Sequence, residues 1–223
     1  MNLSSTVTSL EKAARNDRHR LFMAFVLSLD KPATILDVGG TTEYWKAFFT
    51  PASPIRRVVL LNTFEQRVFP PFESVTGDAC DLSRYAGRSF DVVFSNSVLG
   101  HVGGFSHQLQ MATEIRRVAF HYFVQTPNHA FPIDWRTLVP FFHLLPVGVQ
   151  ARCFQSLAMG RYSKAKSREE AEEWASRVRN VRRKELRVLF PGATVIDERM
   201  LGWTKSFMVH NFPQTRAAGF RDL

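Results

Sequence analysis

Apolar positions along this chain recur with two alternating periods. Between residues 10 and 29, Leu21, Phe25 and Leu29 repeat at four-residue spacing behind basic Arg15, Arg18 and Arg20. That spacing predicts an amphipathic helix over about 8–30, ended by Lys31-Pro32. Short continuous runs rich in Val, Ile, Leu and Phe then predict strands at 34–38, 57–61 and 90–95, with weaker ones at 74–77 and 121–125. Helical stretches fall between them at 43–49, broken by Pro51 and Pro54, and at 105–119. Strand and helix thus alternate at the spacing of right-handed crossovers, which predicts a parallel sheet in an α/β fold.

The order changes after Asn128. Residues 131–150 are apolar but interrupted by Pro132, Pro140 and Pro146, too broken for one long helix and too greasy for a plain loop. They predict short helical turns capping the carboxyl edge of the sheet, within an insertion over about 129–183; a packed connection that merely adds core fits the same composition. Ser167-Arg168-Glu169-Glu170 is a capping box. It opens a helix with acidic early turns and a basic end at Arg177, Arg179, Arg182, Arg183 and Lys184, a polarity that complements the helix dipole. Runs at 194–198 and 204–210 predict a terminal hairpin, hence an antiparallel strand at the edge.

The stretch Ile35-Leu36-Asp37-Val38-Gly39-Gly40-Thr41 reads as a buried strand breaking into a tight turn at its carboxyl end, where open α/β sheets bind ligands. Glycine there accepts positive φ and lets a ligand approach the backbone. An ordinary strand with a Gly-Gly turn fits equally well. Further polar features follow the next strands: Asn62, then Asp78-Ala79, then Ser95-Asn96-Ser97.

Composition narrows the partners only a little. With 223 residues, 45% of them hydrophobic, the chain suits one large domain with a real core. Twenty phenylalanines predict an aromatic-rich core or an apolar pocket. Lys and Arg number 29 against 20 Asp and Glu, a net charge of +9, which favours nucleic acid, phosphorylated substrates or an acidic membrane surface without choosing among them. Cys80 and Cys153 lie far apart with no metal-ligand spacing, so neither a zinc site nor a disulfide framework is expected. No metal is expected. The N-terminal residues lack the apolar core of a signal peptide and no run is long enough to span a bilayer, so a cytoplasmic protein, monomeric or homodimeric, is the expectation.

The strand-end features together resemble the class I S-adenosylmethionine-dependent methyltransferases. Most specific are Ile35 to Gly40, Gly77-Asp78, and Phe90 to Val102 (FDVVFSNSVLGHV). Tyr122 to Asn128 with Phe131-Pro132-Ile133, and Lys205-Ser206, are similar to a bacterial subgroup of the type 11 methyltransferases. The resemblance implies a Rossmann-like seven-stranded, mostly parallel sheet with helices on both faces and an antiparallel C-terminal strand, in a single domain over 1–223. It implies S-adenosylmethionine as cofactor and S-adenosylhomocysteine as product. Asp37, Gly39, Gly40, Thr41, Asn62, Asp78, Ala79, Asn96 and Ser97 would hold the cofactor, with Asp37 near its amino group. Asn62 departs from the usual acidic ribose ligand, and Glu65 is the nearby group that would compensate.

His101, on the loop after the fourth strand, would face the acceptor as general base, with Asp134 and His143 as further catalytic candidates. His129, Trp135, Arg136 and Phe141 would bind substrate. Trp135-Arg136 stands where that subgroup carries Pro-His, which suggests an altered, anionic or aromatic acceptor. The expected reaction is O- or N-methylation of a small molecule in secondary-metabolite or cell-envelope biosynthesis. Two alternatives remain: an RNA methyltransferase, motivated by the charge although no RNA-binding module is apparent, and a degenerate cofactor-fold protein serving as a binding partner.

Overall fold

A computed structural model describes residues 3–50, 52–134, 137–160, 162–200 and 202–213. The long N-terminal helix α1 spans Leu3–Leu27 and is followed by β1 (Ala33–Val38), α2 (Thr42–Lys46), β2 (Ile55–Asn62), β3 (Phe72–Thr76) and β4 (Phe90–Asn96). Then come α3 (Phe105–Val118), β5 (Ala119–Pro127), a 3-10 turn at Phe142–Leu144, α4 (Val147–Ser156), α5 (Arg168–Ser176), α6 (Arg183–Leu189), β6 (Thr194–Met200) and β7 (Trp203–His210).

The seven strands form one sheet in the order β3-β2-β1-β4-β5-β7-β6. Pairings from β3 through β5 are parallel, and β7 runs antiparallel to both of its neighbours. The alternating faces of each strand feed two cores. On one face Leu36, Val38, Val93 and Val124 pack with Met111 and Ile115 of α3 and Leu186 and Leu189 of α6. On the other, Ile35, Leu60, Phe94 and Phe123 pack with Phe22 and Phe25 of α1 and Trp45 of α2. The aromatic-rich core expected from the composition is this second one. The Phe22 ring lies 4.5 Å from Phe94 and 5.6 Å from Phe123, centroid to centroid.

The region after β5 departs from the sequence expectation in two places. Residues 147–156 form a regular helix, because Pro146 stands at its N-cap and not in its interior; proline is compatible with a helix start. Ser167 does cap α5, its Oγ accepting from Glu170 N at 3.1 Å, but the reciprocal half of the box is displaced by one residue, the Glu170 carboxylate accepting from Lys166 N. The helix stops at Ser176, whose hydroxyl donates to the Glu172 and Glu173 carbonyls, with Arg177 as its C-cap; the arginines after Arg177 are not part of that helix end. The Glu185 carboxylate accepts from Arg182 N at 2.8 Å and starts α6 anew, so Arg182 and Arg183 sit at the helix terminus that disfavours cations. Arg179 is drawn into the connection, donating to Gln108 Oε1 at 2.6 Å and pairing with Glu185 at 2.5 Å.

Phe142, Ala151, Phe154, Ala171 and Ala175 give this cap a small core of its own. It is tied to the carboxyl edge of the sheet by His129 N donating to Val181 O at 3.0 Å and Arg179 N donating to Gly100 O at 2.8 Å.

Candidate functional site

The strand order reverses between β1 and β4, which both neighbour each other and lead to opposite edges of the sheet. Ligands of open α/β sheets lie above the carboxyl ends at such a point, and two hollows open there. The larger, about 780 Å3, is lined from four consecutive strand ends by Gly39, Asn62, Asp78, Ala79, Asn96 and Ser97, with His101 and Arg177 at its rim. The smaller, about 290 Å3, holds Asp37, Gly40, Thr41 and Asn96 against Arg15, Glu43 and Tyr44. Gly39 and Asn96 belong to both.

The floor between them is the turn after β1. Gly39 has φ +79°, and a Cβ there would stand 2.2 Å from Val98 Cγ2. Over Gly40 the space is filled by the chain itself, since a Cβ would meet Asp37 Oδ2 at 2.1 Å. The Gly40 carbonyl accepts from Asn62 Nδ2 at 3.2 Å and from Gln66 Nε2 at 2.9 Å. Gln66 Oε1 in turn accepts from Thr42 N at 3.1 Å, so one carboxamide joins the turn to the start of α2. Glu65, the group expected to compensate for Asn62, is exposed and lines neither hollow; its neighbour Gln66, which no motif marks, makes the contact with the turn.

Each residue expected at the cofactor can now be located. Asp37 is almost wholly buried and accepts from Trp45 Nε1 at 2.7 Å. Burial pushes its carboxyl up to about 7, with the Trp45 bond pulling the other way. Thr41 is the N-cap of α2, its hydroxyl accepting from Tyr44 N. Asn62 spends its carboxamide nitrogen on Gly40 O and one lone pair of its oxygen on Thr63 N at 2.9 Å; a second lone pair is left. Asp78 is exposed to the cleft and steadies its own turn by accepting from Cys80 N at 2.8 Å. Ser97 is held at φ +62° by Gln125, which takes both its amide and its hydroxyl. A non-glycine residue in that region costs on the order of 1–3 kcal/mol and is retained only where its surroundings fix it.

Asn96 is set by a buried network the sequence did not announce. Arg18 of α1 donates from Nε to Glu198 Oε1 at 3.1 Å and from Nη1 to Asn96 Oδ1, and Ser206 donates to Glu198 Oε2. Arg18 stands four residues before Phe22 and seven before Phe25, on the face α1 turns to the sheet. A cation placed on an apolar stripe was the available signal.

The acceptor and catalytic candidates separate. His101 is exposed at the rim of the larger hollow. Asp134 is buried and lines neither hollow. His143 is half-buried in the cap, Nε2 donating to the His129 carbonyl at 2.8 Å, while its Nδ1 has no partner among the described residues. The His129 ring lies beside it, 5.6 Å between centroids, and Arg182 approaches its other side. Burial, then the Arg182 charge, lowers the His129 pKa. Phe141 is exposed on the cap, away from both hollows. Trp135 and Arg136 lie outside the described residues. No group of His, Cys, Asp and Glu suited to a metal ion occurs among the described residues.

This seven-stranded sheet, with one reversed strand next to its edge and a cleft at the switch point, is the fold of the class I methyltransferases. Residues 51–120 match the family model described as a methyltransferase domain. Solved structures with the same fold include 1,6-didemethyltoxoflavin-N1-methyltransferase of Burkholderia thailandensis, with 1,6-didemethyltoxoflavin and S-adenosylhomocysteine bound. It is 15% identical at a TM-score of 0.54, over 93% of this chain and 81% of that one. The N-methyltransferase NodS of Bradyrhizobium japonicum is 9% identical at 0.52, over 89% and 95%. A Listeria monocytogenes protein described as a putative S-adenosylmethionine-dependent methyltransferase is 10% identical at 0.53, over 89% and 97%. No curated protein matches the sequence.

Proposed function

We propose that this chain is an S-adenosylmethionine-dependent methyltransferase acting on an O or N atom of a small-molecule acceptor. The observation that carries the proposal is the convergence of Gly39, Asn62, Asp78-Ala79 and Asn96-Ser97, from four consecutive strand ends, on one cleft. The residues fit the cofactor. The hollow lies within the roughly 300–1,000 Å3 usual for small-molecule sites. Its floor is backbone kept bare at Gly39, and Asn62 retains an acceptor for a hydroxyl. When bound, the cofactor supplies a methyl group already activated on a sulfonium. What remains for the protein is alignment and exclusion of water.

In this proposal Asp78 and Ala79 hold the adenine end, Asn62 the ribose, and Asn96 and the Gly39-Gly40 turn the methionine end. Asp37 acts through the turn, because its carboxylate is folded onto Gly40 and bonded to Trp45. Among the three catalytic candidates His101 takes the role of base where the acceptor must lose a proton, as it alone borders the cleft. His143 and His129 serve as braces of the cap. The similar structure of 1,6-didemethyltoxoflavin-N1-methyltransferase, solved with 1,6-didemethyltoxoflavin bound, supports a small acceptor. Secondary-metabolite or cell-envelope biosynthesis is the setting proposed from the apolar cap.

Calorimetry of the purified chain with S-adenosylmethionine and S-adenosylhomocysteine is the test, followed by labelled-methyl transfer to fractionated metabolites and to total RNA. One-to-one binding of both compounds and label in a small-molecule fraction are expected. Failure to bind either compound removes the proposal and favours a degenerate partner protein; label confined to RNA overturns the acceptor class.

A further inference from the structure

At the amino ends of β4 and β5, where Phe90 pairs with Ala119, the chain encloses another hollow, of about 310 Å3. It is lined by Arg88 from the turn before β4, Arg116 from the last turn of α3, Phe120 and Tyr122 of β5, Gly192, and Asn211 after β7. Strand β4 runs from Phe90 here to Asn96 at the cofactor cleft, a separation of about 20 Å at the usual rise per residue.

Among the described residues no Asp or Glu lines this hollow, and neither of its guanidinium groups is neutralised. Arg116 donates from Nε to Ala112 O at 3.1 Å and from Nη2 to Thr113 Oγ1 at 3.2 Å, both within α3, and has no ion pair among the described residues. Arg88 is exposed, its guanidinium 5.3 Å from the Phe120 ring centroid, and its side chain makes no hydrogen bond or ion pair among the described residues. Arg117 is the contrast. It pairs with Glu114 and donates to the Leu82 and Tyr85 carbonyls, as an arginine that holds structure does.

The third polar group is a tyrosine hydroxyl. Tyr122 is 4% exposed and lines the hollow, yet its hydroxyl has no hydrogen-bond partner among the described residues. Buried tyrosine hydroxyls ordinarily find one. Burial raises the Tyr122 pKa and the Arg116 charge pulls the other way, so that guanidinium stands within reach of the hydroxyl's field. Asn211 fixes the wall, Oδ1 accepting from Tyr122 N at 2.8 Å and Nδ2 donating to Phe120 O at 3.0 Å.

We propose that this hollow is a second ligand site, which takes a small organic phosphate with a planar ring. Two guanidinium groups and a hydroxyl from different elements border it. That set suits the several oxygens of a phosphate dianion, whereas one arginine fork suffices for a carboxylate. The Arg88 guanidinium, already laid on Phe120, offers a plane on which the ligand's ring can stack. The proposal goes beyond the methyl-transfer reading and does not depend on it.

The test is calorimetry of the full chain with uridine monophosphate, uridine and orotate, with and without saturating S-adenosylhomocysteine to close the cleft. Uridine monophosphate is expected to bind one-to-one in both conditions, about tenfold or more tightly than uridine or orotate, and more weakly as salt rises. Arg116→Gln should weaken that binding by about tenfold or more, and Tyr122→Phe, which keeps the ring in the core, by about threefold or more. A urea midpoint no lower than the parent's, without ligand, shows that each variant is folded. The proposal is overturned if uridine monophosphate fails to bind at millimolar concentration, if S-adenosylhomocysteine displaces it, or if uridine or orotate binds as tightly. It is overturned too if folded Arg116→Gln and Tyr122→Phe both bind as the parent does, or if an oligouridylate binds far more tightly than the mononucleotide, which would make this face an RNA contact.

Discussion

Trp45 donates its indole N–H to the Asp37 carboxylate at 2.7 Å, and neither side chain has more than a trace of solvent contact. The bond fixes the strand end beneath the glycine turn, but a single donor does not replace the water a carboxylate loses. Hence burial holds the Asp37 carboxyl at about 7 against an ordinary 3.8.

The sign of the consequence follows. Below pH 3.8 the carboxyl is protonated in both folded and unfolded chains and costs nothing. Between 3.8 and about 7 only the unfolded chain ionises, so stability falls as pH rises, and above about 7 the loss is complete. It amounts to a few kcal/mol, on the order of 1.4 per unit of pH across that window. Asp37→Asn keeps an acceptor for Trp45 and cannot ionise. Its urea midpoint should match that of the parent near pH 4 and exceed it at pH 8. A parent and a variant with parallel pH profiles would refute the assignment.

At Gly39 two costs coincide and can be separated. An alanine there meets Val98 Cγ2 at 2.2 Å and must also hold φ +79°, worth about 1–2 kcal/mol by itself. Gly39→Ala should therefore lose more stability than the backbone term alone, and Gly39→Val should abolish cofactor binding. Adding Val98→Ala removes the collision and should restore part of the stability, leaving the backbone cost. Chemical denaturation of the single and double variants reads the coupling directly, and strict additivity would show that the steric account is mistaken.

The Arg18–Glu198 pair spans α1 and β6 with side-chain exposures of 7% and 5%. Removing one member strands the other as a buried, uncompensated charge, a loss of about 3–5 kcal/mol. Arg18→Met should thus destabilise severely, whereas Arg18→Met with Glu198→Gln should recover much of that loss. Since Arg18 also donates to Asn96, the double variant should still bind S-adenosylhomocysteine more weakly than the parent. Native affinity in a folded double variant would show that Asn96 needs no such support.

Much of this architecture could be seen in the chain. Apolar runs such as Phe90 to Phe94 are buried on both faces of a central strand, which is why they stand out as continuous hydrophobic stretches. Three strand ends are equally visible, because Gly39-Gly40, Asn62 and Ser95-Asn96 each interrupt such a run, whereas Asp78 follows β3, which holds no fully buried residue. Pro146 and the arginines from 179 to 183 are the opposite case: capping and dipole rules act from a helix boundary, and that boundary is set by tertiary packing. Arg15, Tyr44 and Arg177 reach the hollows from elements remote in sequence. Only the tertiary arrangement puts them there, and no periodicity announces it.

His143 is where sequence and structure assign different work, and the difference can be measured. Its Nε2 proton is committed to the His129 carbonyl at 2.8 Å, a bond worth about 0.5–1.5 kcal/mol that closes the base of the cap. His143→Ala should raise hydrogen exchange across 129–145, and its effect on turnover should appear in KM more than in kcat. His143→Gln, whose amide can also donate to that carbonyl, should restore both. A general base would behave otherwise, because glutamine accepts no proton at neutral pH. His101→Ala is the contrasting case, expected to lower kcat and to flatten the acid limb of its pH profile while leaving exchange in the cap unaltered. If His143→Gln proves as inactive as His143→Ala while the cap exchanges as in the parent, then His143 is the catalytic histidine and the bracing role assigned to it is wrong.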